Sequence, residues 1–87
     1  MKRYTVTLKK SAQKELKKLP KNIQNRILAA LIDLQSNPKP KNSIKMEGEH
    51  HLRRLRVGDY RVIYTLIDMK CVVKVIRIRH RQGAYKS

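Results

Sequence analysis

Apolar and polar residues alternate at the start of the chain: Tyr4, Val6 and Leu8 are separated by Thr5 and Thr7. That is the period of a short half-buried strand. Ser11 is placed to cap a helix, its hydroxyl accepting a hydrogen bond from a first-turn amide. Ala12, Leu16 and Leu19 then recur at helical spacing and form one apolar stripe. Pro20 closes this short helix, because proline lacks a donor and restricts the residue before it. A second helix carries Ile23, Ile27, Ala30, Leu31 and Leu34 on one side, with Lys21, Gln24, Arg26, Asp33 and Gln35 mostly elsewhere. The two helices are expected to form a hairpin whose joined apolar faces cover a sheet, their cations making a solvated face.

Residues 36–43 read Ser-Asn-Pro-Lys-Pro-Lys-Asn-Ser and predict a loop, with no domain boundary. Residues 44–46 form a brief edge strand, and then comes a polar turn containing Glu47, Gly48, Glu49, His50 and His51. From Leu52 the period is two. Leu55 and Val57 share a face with Arg53, while Arg54 and Arg56 share the other with Leu52. Gly58-Asp59 marks a tight turn, so 52–57 and 60–66 pair as an antiparallel hairpin. Arg61 falls on the face of Ile63 and Thr65. Asp68-Met69-Lys70 makes the next turn. Residues 71–78 are the most apolar run, and this strand is expected at the sheet's centre. Continued alternation puts His80 with Ile76 and Ile78, and the residues beyond it leave as a cationic tail. The expected architecture is α+β: an N-terminal strand, then a two-helix hairpin packed on one face of a mostly antiparallel three- to four-stranded sheet. Residues 1–87 are one domain.

Charge sharpens this picture. The 87 residues hold 22 Lys and Arg against six Asp and Glu, a formal net charge of +16. Such a field draws polyanions, and binding to them should weaken steeply with salt. Mutual repulsion also opposes compaction, so an acidic partner would stabilise the fold as well as bind it. Cys71 is the single cysteine and is expected as a buried thiol on a strand; no Cys/His group has metal-ligand spacing. The N-terminus lacks the apolar run of a signal peptide, and no stretch approaches the roughly 20 apolar residues of a transmembrane helix. A soluble cytoplasmic protein that needs neither metal nor cofactor is the expectation.

The open sheet face should be a shallow cationic surface, suited to an extended nucleic-acid strand rather than a closed small-molecule pocket. The three isolated glycines make no phosphate loop, and the sparse acids suggest neither paired general acids nor a metal cage. Guanidinium, imidazole and phenol remain. RNA supplies its own nucleophile, the 2′-hydroxyl, so cleavage needs a base, stabilisation of phosphoryl charge and a proton for the leaving 5′-oxygen. Arginine suits the second task, and histidine shuttles protons near neutral pH.

Leu52-Arg53-Arg54-Leu55-Arg56-Val57-Gly58-Asp59-Tyr60-Arg61-Val62-Ile63-Tyr64, with Val75-Ile76-Arg77-Ile78-Arg79-His80-Arg81 and Tyr85, resembles the RelE/ParE superfamily of bacterial toxins. The likeness covers nearly the whole chain, including the Leu-Pro break between helices. It implies a toxin of a type II toxin–antitoxin system, closest to the RelE-like members, which cut messenger RNA on the ribosome by metal-independent 2′-hydroxyl attack. ParE-like members instead act against DNA gyrase, and a non-catalytic nucleic-acid-binding module is a third reading. The resemblance implies an acidic RelB-like antitoxin, with messenger RNA and the ribosome as further partners and a toxin–antitoxin hetero-oligomer as the assembly. It assigns Arg61 and Arg81 to the scissile phosphate and Tyr85 to an aromatic or proton-transfer position. Arg54 matches a basic position where the family favours lysine. Leu52 departs from a second lysine, and His80 is expected to supply the missing proton-transfer capacity. Arg53, Arg56, Arg77, Arg79 and Lys86 complete the expected RNA-binding set.

Overall fold

The computed structural model describes residues 3–84. In chain order these form β1 (Thr5–Leu8), α1 (Lys10–Lys17), α2 (Lys21–Leu34), β2 (Ser43–Met46), β3 (Glu49–Val57), β4 (Tyr60–Ile67), a 3₁₀ turn (Asp68–Lys70), β5 (Val72–His80) and α3 (Arg81–Ala84). The five strands make one sheet in the order β1-β5-β4-β3-β2, parallel between β1 and β5 and antiparallel elsewhere. The N-terminal strand thus adds a parallel edge to the four-stranded run. The central strand is β4, not the more apolar β5. Pairing β1 beside β5 displaces β5 from the middle, and Val62, Ile63 and Tyr64 bury β4.

One sheet face meets the helices. Ala12 of α1 and Ile27, Leu31 and Leu34 of α2 pack with Leu55, Val62, Tyr64, Val73, Val75 and Ile78 into one core. The helix break works as its sequence suggests, since Pro20 stands at the N-cap of α2. The Gln24 amide then donates to the carbonyls of Leu19 at 2.8 Å and Lys17 at 3.4 Å, satisfying the end of α1.

Ser11 does not cap α1. The helix begins at Lys10, with Lys9 as its N-cap, which puts Ser11 inside the first turn. Its hydroxyl donates instead to the Ile76 carbonyl at 3.0 Å. That contact belongs to a larger device. β1 covers β5 only from Val72 to Val75, leaving the upper half of β5 without a neighbouring strand on that side. Helix α1 closes the edge with Ser11 on Ile76 and with Glu15, whose Oε1 accepts the Ile78 amide at 2.8 Å. An open strand edge is a template for unwanted pairing, and here side chains cover it.

Further departures concern turns. β3 begins at Glu49, so His50 and His51 belong to a strand rather than the turn, which is confined to Glu47 and Gly48. Gly48 and Gly58 both take positive φ, +77° and +59°, as the two hairpin turns require. Cys71 is half-buried in a left-handed turn residue (φ 53°) ahead of β5, not on the strand. Its thiol donates to the Asp68 carbonyl at 3.7 Å. Among the described residues no helix is long and apolar enough to cross a membrane.

Candidate nucleic-acid interface

The face of the sheet away from the helices is built by alternation on β3 and β4. Two cross-strand rows define it: Ile44, Arg54, Ile63 and Arg77 in one, and Arg56, Arg61 and Arg79 in the next. Three arginines on three adjacent strands therefore stand abreast. Directly opposed side chains on such strands lie about 4.5–5.5 Å apart at Cβ, and like charges placed so are destabilising. The row conflicts with stability unless something negative sits against it.

Each arginine of the row is held differently. Arg61 is only 7% exposed, and its Nη1 donates to the carbonyls of Gly58 at 3.2 Å and Tyr60 at 3.1 Å. Those dipoles offset part of the cost of burying a cation. Arg79 and Arg77 approach the Glu15 carboxylate at 3.4 and 3.8 Å. Glu15 therefore both closes the edge of β5 and aligns two cations of the open face. Arg56 is exposed, and its strand is tied to the preceding loop, where Asn42 donates from its side chain to the Arg56 carbonyl at 2.9 Å.

Arg54, Arg56 and Arg61 line one cleft of about 240 Å³, together with Lys41, Asn42 and Ile44. An adjoining hollow of about 350 Å³ runs past Leu52, Ile63, Ile76 and Arg77 beneath the Glu47-Gly48 turn. A bulge explains why Ile76 lies there. Ile63 pairs with Arg77 but Tyr64 with Val75, so Ile76 is an extra residue and joins Arg77 on the open face.

The same bulge corrects the expected placement of His80. It shares a side with Ile78, as alternation requires, but not with Ile76. Paired with Tyr60, its ring packs edge-on against that phenol, 5.4 Å between centroids and 87° between planes. His80 is thus exposed at the end of the sheet on the helix side, not beside Arg61. Arg53 is likewise on the helix side, in register with Tyr64, and donates to Ser43 rather than joining Arg54 and Arg56.

Arg81 starts α3, so its position is set by that helix rather than by strand alternation. Its amide donates to the Asp59 carbonyl at 2.7 Å. Successive carbonyls of one turn therefore hold both segments: Gly58 and Tyr60 receive the Arg61 guanidinium, and Asp59 receives the Arg81 backbone. Tyr85 and Lys86 lie outside the described residues. Lys41 and Glu15 join the site without a distinctive sequence signal. Lys41 is legible in the sequence only as one of several loop lysines, and Glu15 becomes informative only once α1 is laid against β5. Among the described residues no group of His, Cys, Asp and Glu could hold a metal.

The family model for the ParE toxin of type II toxin–antitoxin systems matches residues 6–85. The chain is similar to toxin RelE of Mycobacterium tuberculosis, 31% identical over 91 residues that cover 95% of this chain and 87% of that one. Its fold matches the toxin in the archaeal RelE–RelB complex of Pyrococcus horikoshii (TM-score 0.80, 36% identity, 90% and 94% coverage). It also matches the Escherichia coli RelBE toxin–antitoxin complex (TM-score 0.76, 29% identity, 88% and 95% coverage). A two-helix hairpin on a mostly antiparallel sheet, a cationic open face and a match across nearly the whole length agree: the chain belongs to the RelE/ParE superfamily and is a toxin of a type II toxin–antitoxin system.

Proposed function

We propose that this toxin is a ribosome-dependent messenger-RNA endoribonuclease. The observation that carries the reading is the row Arg56, Arg61 and Arg79, with the Arg81 segment fastened to the turn that holds Arg61. An extended RNA strand across this face would place a phosphodiester over the row. The RNA 2′-oxygen attacks the adjacent phosphorus while the bond to the 5′-oxygen breaks. The products are a 2′,3′-cyclic phosphate and a 5′-hydroxyl, with one proton leaving the 2′-hydroxyl and one reaching the 5′-oxygen. Arg61, Arg81 and Arg54 stabilise the charge that builds on the phosphoryl oxygens. Arg61 is set in advance by its carbonyl contacts and so needs little reorganisation. Tyr85 and His80 are assigned the proton transfers or base stacking. Arg56, Arg77 and Arg79 bind flanking phosphates.

The partner that silences this face is proposed to be an acidic RelB-like antitoxin, consistent with the +16 charge and with the complexes in which similar toxins were crystallised. The matched family model describes ParE toxins, which favours gyrase inhibition as the second reading. Antitoxin-free protein added to a translation extract separates the two. New RNA 3′ ends that need ribosomes, with gyrase supercoiling unchanged, support the nuclease. Intact messenger RNA together with blocked supercoiling supports the alternative.

A further inference from the structure

A second cationic recess lies on the other side of the sheet, beyond the reach of the helices. It is a notch of about 160 Å³ lined by Lys39, Lys45, His51, Arg53, Leu66 and Asp68. Lys45 and Arg53 face each other across β2 and β3, in the row that continues to buried Tyr64. Alternation therefore puts this notch back to back with the Arg54 and Arg56 cleft.

The notch is built rather than incidental. Arg53 donates from Nε and Nη2 to the Ser43 hydroxyl at 3.3 and 3.0 Å, and from Nη2 to the Ser43 carbonyl at 3.3 Å. Those bonds fix the guanidinium plane and leave Nη1 for a ligand. Ser43 is itself buried, and its hydroxyl donates to the Pro40 carbonyl at 2.8 Å. The fully buried Tyr64 donates its hydroxyl to the Pro38 carbonyl at 2.7 Å. Lys39 thus sits between two anchored prolines, and the backbone presenting it has little freedom left to lose. The one carboxylate of the notch, Asp68, already accepts the Tyr4 hydroxyl at 2.8 Å.

We infer that this notch is a second phosphate-binding site, which takes a backbone phosphate of a folded RNA while the opposite face holds the strand to be cut. An oxyanion fits a small recess where the remaining Nη1 of a fixed guanidinium and two lysines line one notch. An acidic helix fits it poorly, because such a partner needs an apolar groove and Leu66 is the single apolar lining residue. One extended strand would have to turn around the β2 edge to occupy both faces, so the notch suits a second strand of structured RNA.

The test uses a labelled RNA hairpin, 2′-O-methylated so that it resists cleavage, and full-length protein without ribosomes. Binding is measured by anisotropy over a salt series for wild type, for Lys39→Gln with Lys45→Gln, and for Lys17→Gln with Lys18→Gln as an equal charge change on α1. The notch pair should lower affinity about tenfold and flatten the slope of log K against log salt by about two, with the α1 pair changing much less. In wild type, inorganic phosphate should shift the Arg53 Nε–H resonance saturably. Equal losses from both pairs would overturn the site, as would an Arg53 resonance indifferent to phosphate. A notch pair that weakened binding to a polyglutamate peptide more than to the hairpin would also overturn it and assign the surface to an acidic protein. These readouts involve no cleavage, so their failure leaves the nuclease reading standing, and its failure leaves them standing.

Discussion

Oε1 of Glu15 on α1 accepts the backbone N–H of Ile78 on β5 at 2.8 Å, and Oε2 of the same carboxylate approaches Arg79 at 3.4 Å and Arg77 at 3.8 Å. One helix side chain thus stands in for a missing strand and organises two cations of the open face. Glu15→Ala should cost about 1–3 kcal/mol by leaving a partly buried amide without its acceptor. Glu15→Gln, which keeps an acceptor, should cost less. Urea denaturation of the three proteins checks this; equal stability throughout would show that water replaces the carboxylate.

The β3–β4 turn carries a conformational constraint that reaches the candidate site. Gly58 has φ +59°, and a Cβ there would lie 3.2 Å from Nη1 of Arg26. The arginine tip can move, so backbone strain dominates, and Gly58→Ala should cost about 1–2 kcal/mol. Because the Gly58 carbonyl also holds Arg61, the variant should lose cleavage beyond what its lowered melting temperature explains.

Tyr4 gives a pH signature at the opposite end of the molecule. Its hydroxyl donates to Asp68, and that hydrogen bond, followed by burial and the nearby carboxylate charge, raises the phenol above its ordinary value of 10.0. The neutral phenol is therefore favoured by folding. This contribution is fully present below about pH 10 and is lost as pH rises through the folded-state value. Alkaline titration of tyrosinate absorbance should show one phenol that moves down in Asp68→Asn and disappears in Tyr4→Phe.

Repulsion along the arginine row predicts a response to polyanions. Antitoxin-free protein should melt higher with polyphosphate than with sodium chloride of equal ionic strength. A ligand at a hundredfold its dissociation constant contributes about 2.7 kcal/mol to the native state. No gain in melting temperature would indicate that the charge is already relieved within the chain.

Alternation alone separates Arg54 and Arg56 from Arg53, and puts Arg61 with Ile63 and Thr65, because β3 and β4 keep a strict period of two across these positions. The helical faces are legible for the same reason. Distant partners set the features that local pattern does not carry. The bulge at Ile76 depends on how β5 fits against β4, and it breaks the face relation between Ile76 and His80. The α3 helix begins at Arg81, ending the alternation that would have grouped that residue with Arg77 and Arg79. Ser11 resembles a cap in sequence but serves an edge carbonyl 65 positions away. The Ser43 bonds that fix the Arg53 guanidinium on the helix side likewise join two strands and a loop.

The central claim is that guanidinium groups from β4 and from the start of α3 act on one phosphodiester. Single-turnover cleavage on programmed ribosomes, with ribosome affinity measured in parallel, tests it most directly for wild type, Arg61→Ala and Arg81→Ala. Each substitution should slow cleavage about 100-fold or more while weakening ribosome binding only a few-fold, because a transition-state contact mainly lowers turnover. Parallel losses of rate and affinity, or cleavage that survives both substitutions, would contradict the account.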